Sequence, residues 1–241
     1  MSEPILRHKD NDVTTIVLNR PEAGNRQTDA TWAQVTEMID SAAKESRLIL
    51  LKGAGEDFCL GREAMGQPGP VLEAYAVRDR SETIFNLYGA FRGAKVPIIA
   101  VVQGRAIGLG CALAALCDIT IASEKARFQF PEMSHRIMPT IAMSALVDRV
   151  PRKAATYMIY STQEIDAQKA LIFGLVSNVV PANELDAAVA ALMDHFKKVP
   201  LPALLAVKEY ARSAFSMGPQ AATDFARNLH ATVNSFSAMR S

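Results

Sequence analysis

Val102–Glu132, VQGRAIGLGCALAALCDITIASEKARFQFPE, is the stretch whose reading decides the fold. The apolar run Pro97–Val102 (PIIAVV) enters it as a strand and stops at Gln103-Gly104. Gly108-Leu109-Gly110 then opens an apolar helix, Asp118–Ala122 (DITIA) and Phe128–Phe130 read as short strands, and Pro131-Glu132 closes the stretch. A glycine turn between strand and helix leaves free backbone N–H groups at the positive end of the helix dipole, a site for negative charge. As a phosphate loop the pattern fails, having neither a third glycine nor Gly-Lys-Ser/Thr. Ala112 stands on the first turn of that helix, where a reactive side chain would face the turn.

Working outward, Val13–Leu18 reads as a strand ended by Asn19-Arg20-Pro21, and Arg47–Lys52 (RLILLK) as a wholly apolar one ended by Gly53-Ala54-Gly55. Between them Trp32, Val35, Met38, Ile39 and Ala42 recur at helical spacing from about Asp29. Ile84, Leu87, Tyr88 and Phe91 mark a second helix before Pro97. Strands apolar throughout, alternating with helices, predict an α/β fold with a mainly parallel sheet covered on both faces. After Pro151 the β signal shrinks to Leu175–Val180. Asp166 caps a helix that stops at Gly174, and helices follow over roughly Glu184–Lys198, Pro202–Ser216 and Gln220–Phe236. No linker or repeat divides the chain, so the expectation is one domain over 1–241, with an α/β core over 1–150 and a helical section over 151–241.

Composition narrows the function classes. The 241 residues are 49% hydrophobic and 21% charged, ordinary for a globular enzyme-sized fold. Lys plus Arg number 26 against 25 acidic residues, so the net charge of +1 speaks against a nucleic-acid partner. No apolar run approaches the roughly 20 residues of a membrane helix, and the polar N-terminus MSEPILRHKDND reads as neither secretory signal nor transit peptide. The three cysteines suit buried thiols in a reducing cytosol: Cys59 is alone, and Cys111 and Cys117 lie on different faces of the apolar helix. The four histidines have no metal-ligand spacing, and a metal is not expected.

A second turn raises the interest of the first. Phe58-Cys59-Leu60-Gly61-Arg62 follows the exit of the RLILLK strand. Two strand exits in one parallel sheet, each offering a backbone N–H, can hold one oxyanion between them. Ser134, His135, Ser144 and Asp148 include the residue types of a hydrolase triad, but Ser144 lies in no G-x-S-x-G elbow.

NRPEAGN (19–25), GAGEDFCLGRE (53–63), KVPIIAVVQGRAIGLGCALAALCDITIASEKARFQFPE (95–132) and AQKALIFGLVSNVVP (167–181), in that order, closely resemble the crotonase superfamily, the enoyl-CoA hydratase/isomerase family. The resemblance covers roughly Val13–Phe215. It implies a spiral of ββα units with a helical C-terminal section used for trimerisation, a homotrimer or dimer of trimers, and a cytoplasmic enzyme. It implies an acyl-CoA thioester substrate, with coenzyme A entering as part of the substrate and no other cofactor. The thioester oxygen would be held by the backbone N–H groups of Arg62 and Leu109, with Gly61, Gly108 and Gly110 shaping those turns. The Arg62 side chain would be a solvated rim charge or reach a CoA phosphate. Lys208 would meet a CoA phosphate or lie on a solvated helix face, as Lys197 and Lys198 do.

Family hydratases place two glutamates over the double bond. Glu132 matches the second, whereas Ala112 stands at the first, GLGCA replacing GGGCE. Thr140 replaces a glycine common in this loop, Phe130 replaces a glutamine, and Met133–Met138 make the loop bulkier. Loss of one carboxylate removes the usual positioning of water. Single-base chemistry such as double-bond isomerisation through Glu132 is therefore expected ahead of hydration, with non-catalytic acyl-CoA binding as the reading from another class. Burial beside Phe130 would raise the Glu132 pKa. The acyl pocket walls are expected from Glu63–Ala76 and Met133–Thr140.

Overall fold

The structure, a computed structural model, describes residues 3–63 and 73–240. Ile5–Asp10 (β1) pairs antiparallel with Val13–Leu18 (β2). The sequence places no strand at β1, because only Ile5 is buried and His8–Asp10 are exposed; an edge strand needs no apolar alternation. Asp29–Glu45 (α1) starts on Thr28, whose hydroxyl accepts from the Thr31 N–H, and buries Trp32, Val35, Ile39 and Ala42 on the face its spacing predicts. Leu48–Gly53 (β3), Ala74–Gly93 (α2), Ile98–Val102 (β4), Arg105–Ile107 (β5), Leu109–Leu116 (α3), Ile119–Ser123 (β6) and Arg127–Gln129 (β7) follow. Next come Thr140–Leu146 (α4), Arg152–Ser161 (α5), Ile165–Asp166 (β8), Ala167–Ile172 (α6) and Asn178–Val180 (β9). Leu185–Lys198 (α7), Leu201–Ser213 (α8) and Pro219–Asn234 (α9) are the last long helices.

Two sheets organise these elements. The larger has the order β1-β2-β3-β4-β6-β9 and is parallel from β2 onward; the smaller has the order β5-β7-β8. Bridges Gln27↔Arg62 and Cys59↔Ala106 continue the pairing of the small sheet toward the N-terminus. Each turn of the chain thus runs a long strand in the large sheet, a short extended step beside it and a helix, the spiral of ββα units that the resemblance implies. Residues after 151 are not purely helical: β9 joins the large sheet at β6, and β8 joins the small one at β7. β5 and β8 are two or three residues long, and α5 buries only Ala154, Met158 and Ile159, too little periodicity to read in advance.

Apolar residues on both faces of the central strands make both layers. Ile49 and Leu51 of β3 and Ile98, Ala100 and Val102 of β4 pack into the main core with α1, α2 and α3. Their alternates Leu48, Leu50, Ile99 and Val101 meet Leu185, Val189, Met193 and Phe196 of α7 on the other face. Burying each such side chain is worth about 1.5–3 kcal/mol, so the sheet is held from both sides. α3 is buried along its whole length, the plain consequence of LGCALAAL. It stops at Leu116, so Cys117 caps it rather than lying within it as the sequence expectation has it; Cys59, Cys111 and Cys117 are free and buried. Among the described residues, no helix is long and apolar enough to cross a membrane.

Candidate active site

The two glycine turns meet. Gly108 caps α3 with a left-handed φ of 55°, which a side chain would strain, and its N–H donates to the Gln129 carbonyl at 2.8 Å. Gly110 permits a close approach: a Cβ there would lie 2.0 Å from the Cys59 carbonyl oxygen. The first turn of α3 therefore rests directly on the Cys59–Arg62 exit, and the Ile107 N–H donates to that same Cys59 carbonyl at 2.9 Å. Arg105 holds Asp57 through two hydrogen bonds of 2.8 and 2.9 Å, and the Asn25 and Gln103 amides donate to the Asp57 carbonyl, so the exit is pinned from below. A Cβ on Gly61 would lie 3.7 Å from the Leu109 nitrogen. Neither the Arg62 nor the Leu109 backbone N–H donates to a partner among the described residues. Two free donors on adjoining turns, one of them at a helix N-terminus, can together receive one oxyanion.

Glu132 closes the site from the end of the small sheet. It begins a one-turn 3-10 helix, Glu132–His135, just past β7 and Pro131. Its Oε1 lies 3.4 Å from where a Gly108 Cβ would be, so the carboxyl stands over the N-terminal turn of α3. Its Oε2 is buried and has no hydrogen-bond partner among the described residues. Burial pushes the Glu132 pKa above the ordinary carboxylate range, opposed by a hydrogen bond from its own backbone and by the charge of His135. Ala112 is fully buried and contributes a methyl group to the main core on α3. A carboxyl desolvated beside free N–H donors, with an inert methyl on the neighbouring helix, can move a proton next to a bound carbonyl.

Several expected side chains lie elsewhere. The Arg62 guanidinium, expected as a solvated rim charge or a phosphate contact, pairs bidentately with Asp29. Lys208 is 5% exposed, and its Nζ donates to both Asp118 oxygens at 2.7 Å. That buried pair ties α8 to the start of β6. Lys197 pairs with Asp194 on the surface of α7. His135, Ile137, Met138 and Thr140 are exposed, Thr140 as the first residue of α4. Residues 64–72 of the expected pocket wall lie outside the described residues; Glu63 is bound to Arg20 at 2.9 Å. Sequence reading missed Asp118 as the lysine's partner.

The comparisons agree with the fold. The family model for enoyl-CoA hydratase/isomerase matches residues 8–240. The 2,3-dehydroadipyl-CoA hydratase of Escherichia coli (strain K12) is 32% identical over 229 residues, covering 92% of this chain and 86% of that protein. The human enoyl-CoA hydratase domain-containing protein 3, mitochondrial, is 32% identical over 178 residues, covering 72% of this chain and 57% of that protein. Among solved structures, an enoyl-CoA hydratase of Mycobacterium smegmatis aligns with a TM-score of 0.89 at 26% identity, covering 97% of this chain and 91% of that one. A Thermobifida fusca YX protein described as an enoyl-CoA hydratase, solved in complex with CoA, aligns with a TM-score of 0.85 at 29% identity over 95% of this chain and 92% of that one. A ββα spiral with an amide-lined turn and one carboxyl above it is the acyl-CoA-processing class of site. The chain belongs to the enoyl-CoA hydratase/isomerase family.

Proposed function

We propose that the protein binds an acyl-CoA thioester with its carbonyl oxygen accepting from the Arg62 and Leu109 backbone N–H groups, and that Glu132 is its acid/base. Gly61, Gly108 and Gly110 shape that cradle, while Ala112 and Thr140 border the acyl group. Glu132 takes a proton from the carbon next to the thioester, the electrons move onto the carbonyl oxygen, and the two N–H donors stabilise the enolate. Preorganised donors of this kind are worth on the order of 3 kcal/mol each when one is removed from an enzyme. Returning the proton two carbons further along moves the double bond, so single-glutamate isomerisation of an enoyl-CoA is the favoured reaction. The observation that carries this reading is Glu132 alone over the Gly108 turn, with a methyl at residue 112 where a second carboxylate would hold water. Coenzyme A enters with the substrate, and no further cofactor is needed for the step.

Hydration of a 2-enoyl-CoA is the second reading, favoured by the names of the relatives. A panel of 2-enoyl-, 3-enoyl- and aromatic acyl-CoA thioesters, followed by absorbance and mass, separates the cases. Double-bond migration lost in Glu132→Ala is expected. Water addition at ordinary hydratase rates would overturn the argument from Ala112, and tight binding without turnover would make the protein an acyl-CoA-binding paralogue. A homotrimer, or a dimer of trimers, built through the helical section completes the proposal; α9 supports it, since not one of its residues is buried within the described chain.

A further inference from the structure

Arg62 is the middle residue of a short parallel pairing with Gln27. The Gln27 N–H donates to the Gly61 carbonyl at 3.4 Å, and the Glu63 N–H donates to the Gln27 carbonyl at 2.9 Å. The residue between two such bonds turns its own N–H to the opposite edge of the strand. For Arg62 that is the edge on which Cys59 pairs with Ala106 and Gly61 adjoins the Leu109 nitrogen. Backbone pairing therefore sets the side on which the free Arg62 N–H emerges. It is a loose hold, since one of its two bonds lies beyond the usual N–H···O range. The side chain adds a second hold. Nε and Nη2 of Arg62 donate to the two carboxylate oxygens of Asp29, and Nη2 also points to the Arg80 carbonyl of α2 at 3.5 Å. Asp29 is the first residue of α1, beside the Thr28 cap, so its carboxylate is itself anchored where a helix favours negative charge. A bidentate fork fixes angle as well as distance.

We propose that Asp29 is a positioning residue for the oxyanion donor: by gripping the Arg62 guanidinium it fixes the aim of the Arg62 backbone N–H. The proposal rests on the reading of that N–H and the Leu109 N–H as the thioester cradle. One residue then carries two separable parts, an amide that faces the substrate and a side chain that holds the amide still. Gly61, just before it, has a left-handed φ of 105°, so the chain needs an anchor on the far side of that turn. A donor acts on a developing oxyanion only if it is aimed before the reaction begins, and a misaimed one must reorient at the barrier. Asp29 supplies that aim from α1, an element that contributes no group to the cradle itself.

Asp29→Ala removes the grip, and Arg62→Leu removes the gripped group while keeping the backbone N–H. Losing a whole oxyanion donor costs about a hundredfold or more in kcat, so misaiming one is expected to cost about tenfold in either variant. The loss should fall on kcat more than on KM, because the donor matters most to the enolate. The double variant should lose no more than either single one, since both remove the same contact. The direct readout is the infrared band of a carbonyl labelled with carbon-13 in a bound aromatic acyl-CoA thioester. Hydrogen bonds to the oxygen lower its frequency in the wild type, and in both variants the band should move back toward that of the free ester. A wild-type band position in Asp29→Ala and Arg62→Leu would overturn the proposal, even if both melt lower, and so would additive losses in the double variant. A wild-type protein that leaves the bound carbonyl at its free frequency, or binds no acyl-CoA thioester, would instead overturn the cradle reading and the proposal with it.

Discussion

Glu132 is a residue the fold holds at a cost. Its carboxyl is half-buried, one oxygen lacks a partner among the described residues, and burial raises its pKa. The sign of the consequence follows from linkage. A carboxyl whose pKa is raised on folding binds its proton more tightly in the native state, so its contribution to stability is full below the unfolded pKa. That contribution is lost as pH rises through the folded one. At neutral pH the ionised group therefore weakens the fold, and Glu132→Gln is expected to melt higher than wild type there. The gain should shrink to nothing as pH falls below the ordinary glutamic acid range. Calorimetry across pH checks this; a variant no more stable at neutral pH would show that the carboxylate is adequately solvated where it stands. A stability–activity trade of this form is usual where a side chain is kept for chemistry.

At the scale of elements, the site is a contact between two backbones. α3 presents its N-terminus to the Cys59–Arg62 exit only because Gly110 has no side chain. In Gly110→Ala the added carbon meets a carbonyl oxygen, and backbone cannot turn aside as a flexible side chain can. Overpacking of this kind costs about 1–3 kcal/mol. Moving α3 by even part of an ångström separates the Leu109 and Arg62 donors, so catalysis is expected to fall at least about tenfold, the effect of losing part of one oxyanion donor. Steady-state kinetics beside a melting curve separate the two effects, and unchanged turnover in a destabilised variant would count against the paired-donor geometry. The glycine turns themselves were legible in the sequence, since glycines between a strand and a helix mark a sharp exit. Which glycine serves φ and which serves close approach was not, because Gly108 and Gly110 look alike until Cys59 is placed against one of them.

At the scale of the whole molecule, α9 packs on α8 yet stays on the outside of the single chain. α9 buries no residue, although Phe225 stacks on Tyr210 of α8 with ring centroids 5.6 Å apart. Beside it Leu201, Leu205, Leu229, Val233 and Phe236 line an apolar groove of about 310 Å³ between α8 and α9. An amphipathic helix with an open apolar side is stable when another surface covers it. Light scattering is expected to give the mass of three or six chains, and Leu229→Asp with Val233→Asp should lower it to that of one. A monomeric wild type would dissociate the helical section from assembly.

By itself the sequence determined the layered α/β architecture, because strands buried on both faces must be apolar throughout and their helices must show a 3.6-residue stripe. It also offered a candidate chemistry, two glycine turns from local pattern and the role of the Pro-Glu pair from the family resemblance. Tertiary structure alone decided what the charged and polar side chains do. Lys208 is bound to Asp118, 90 residues away, and Arg62 is bound to Asp29. A buried charge is defined by its partner, and nothing local to a lysine or an arginine names the residue that folding brings to it.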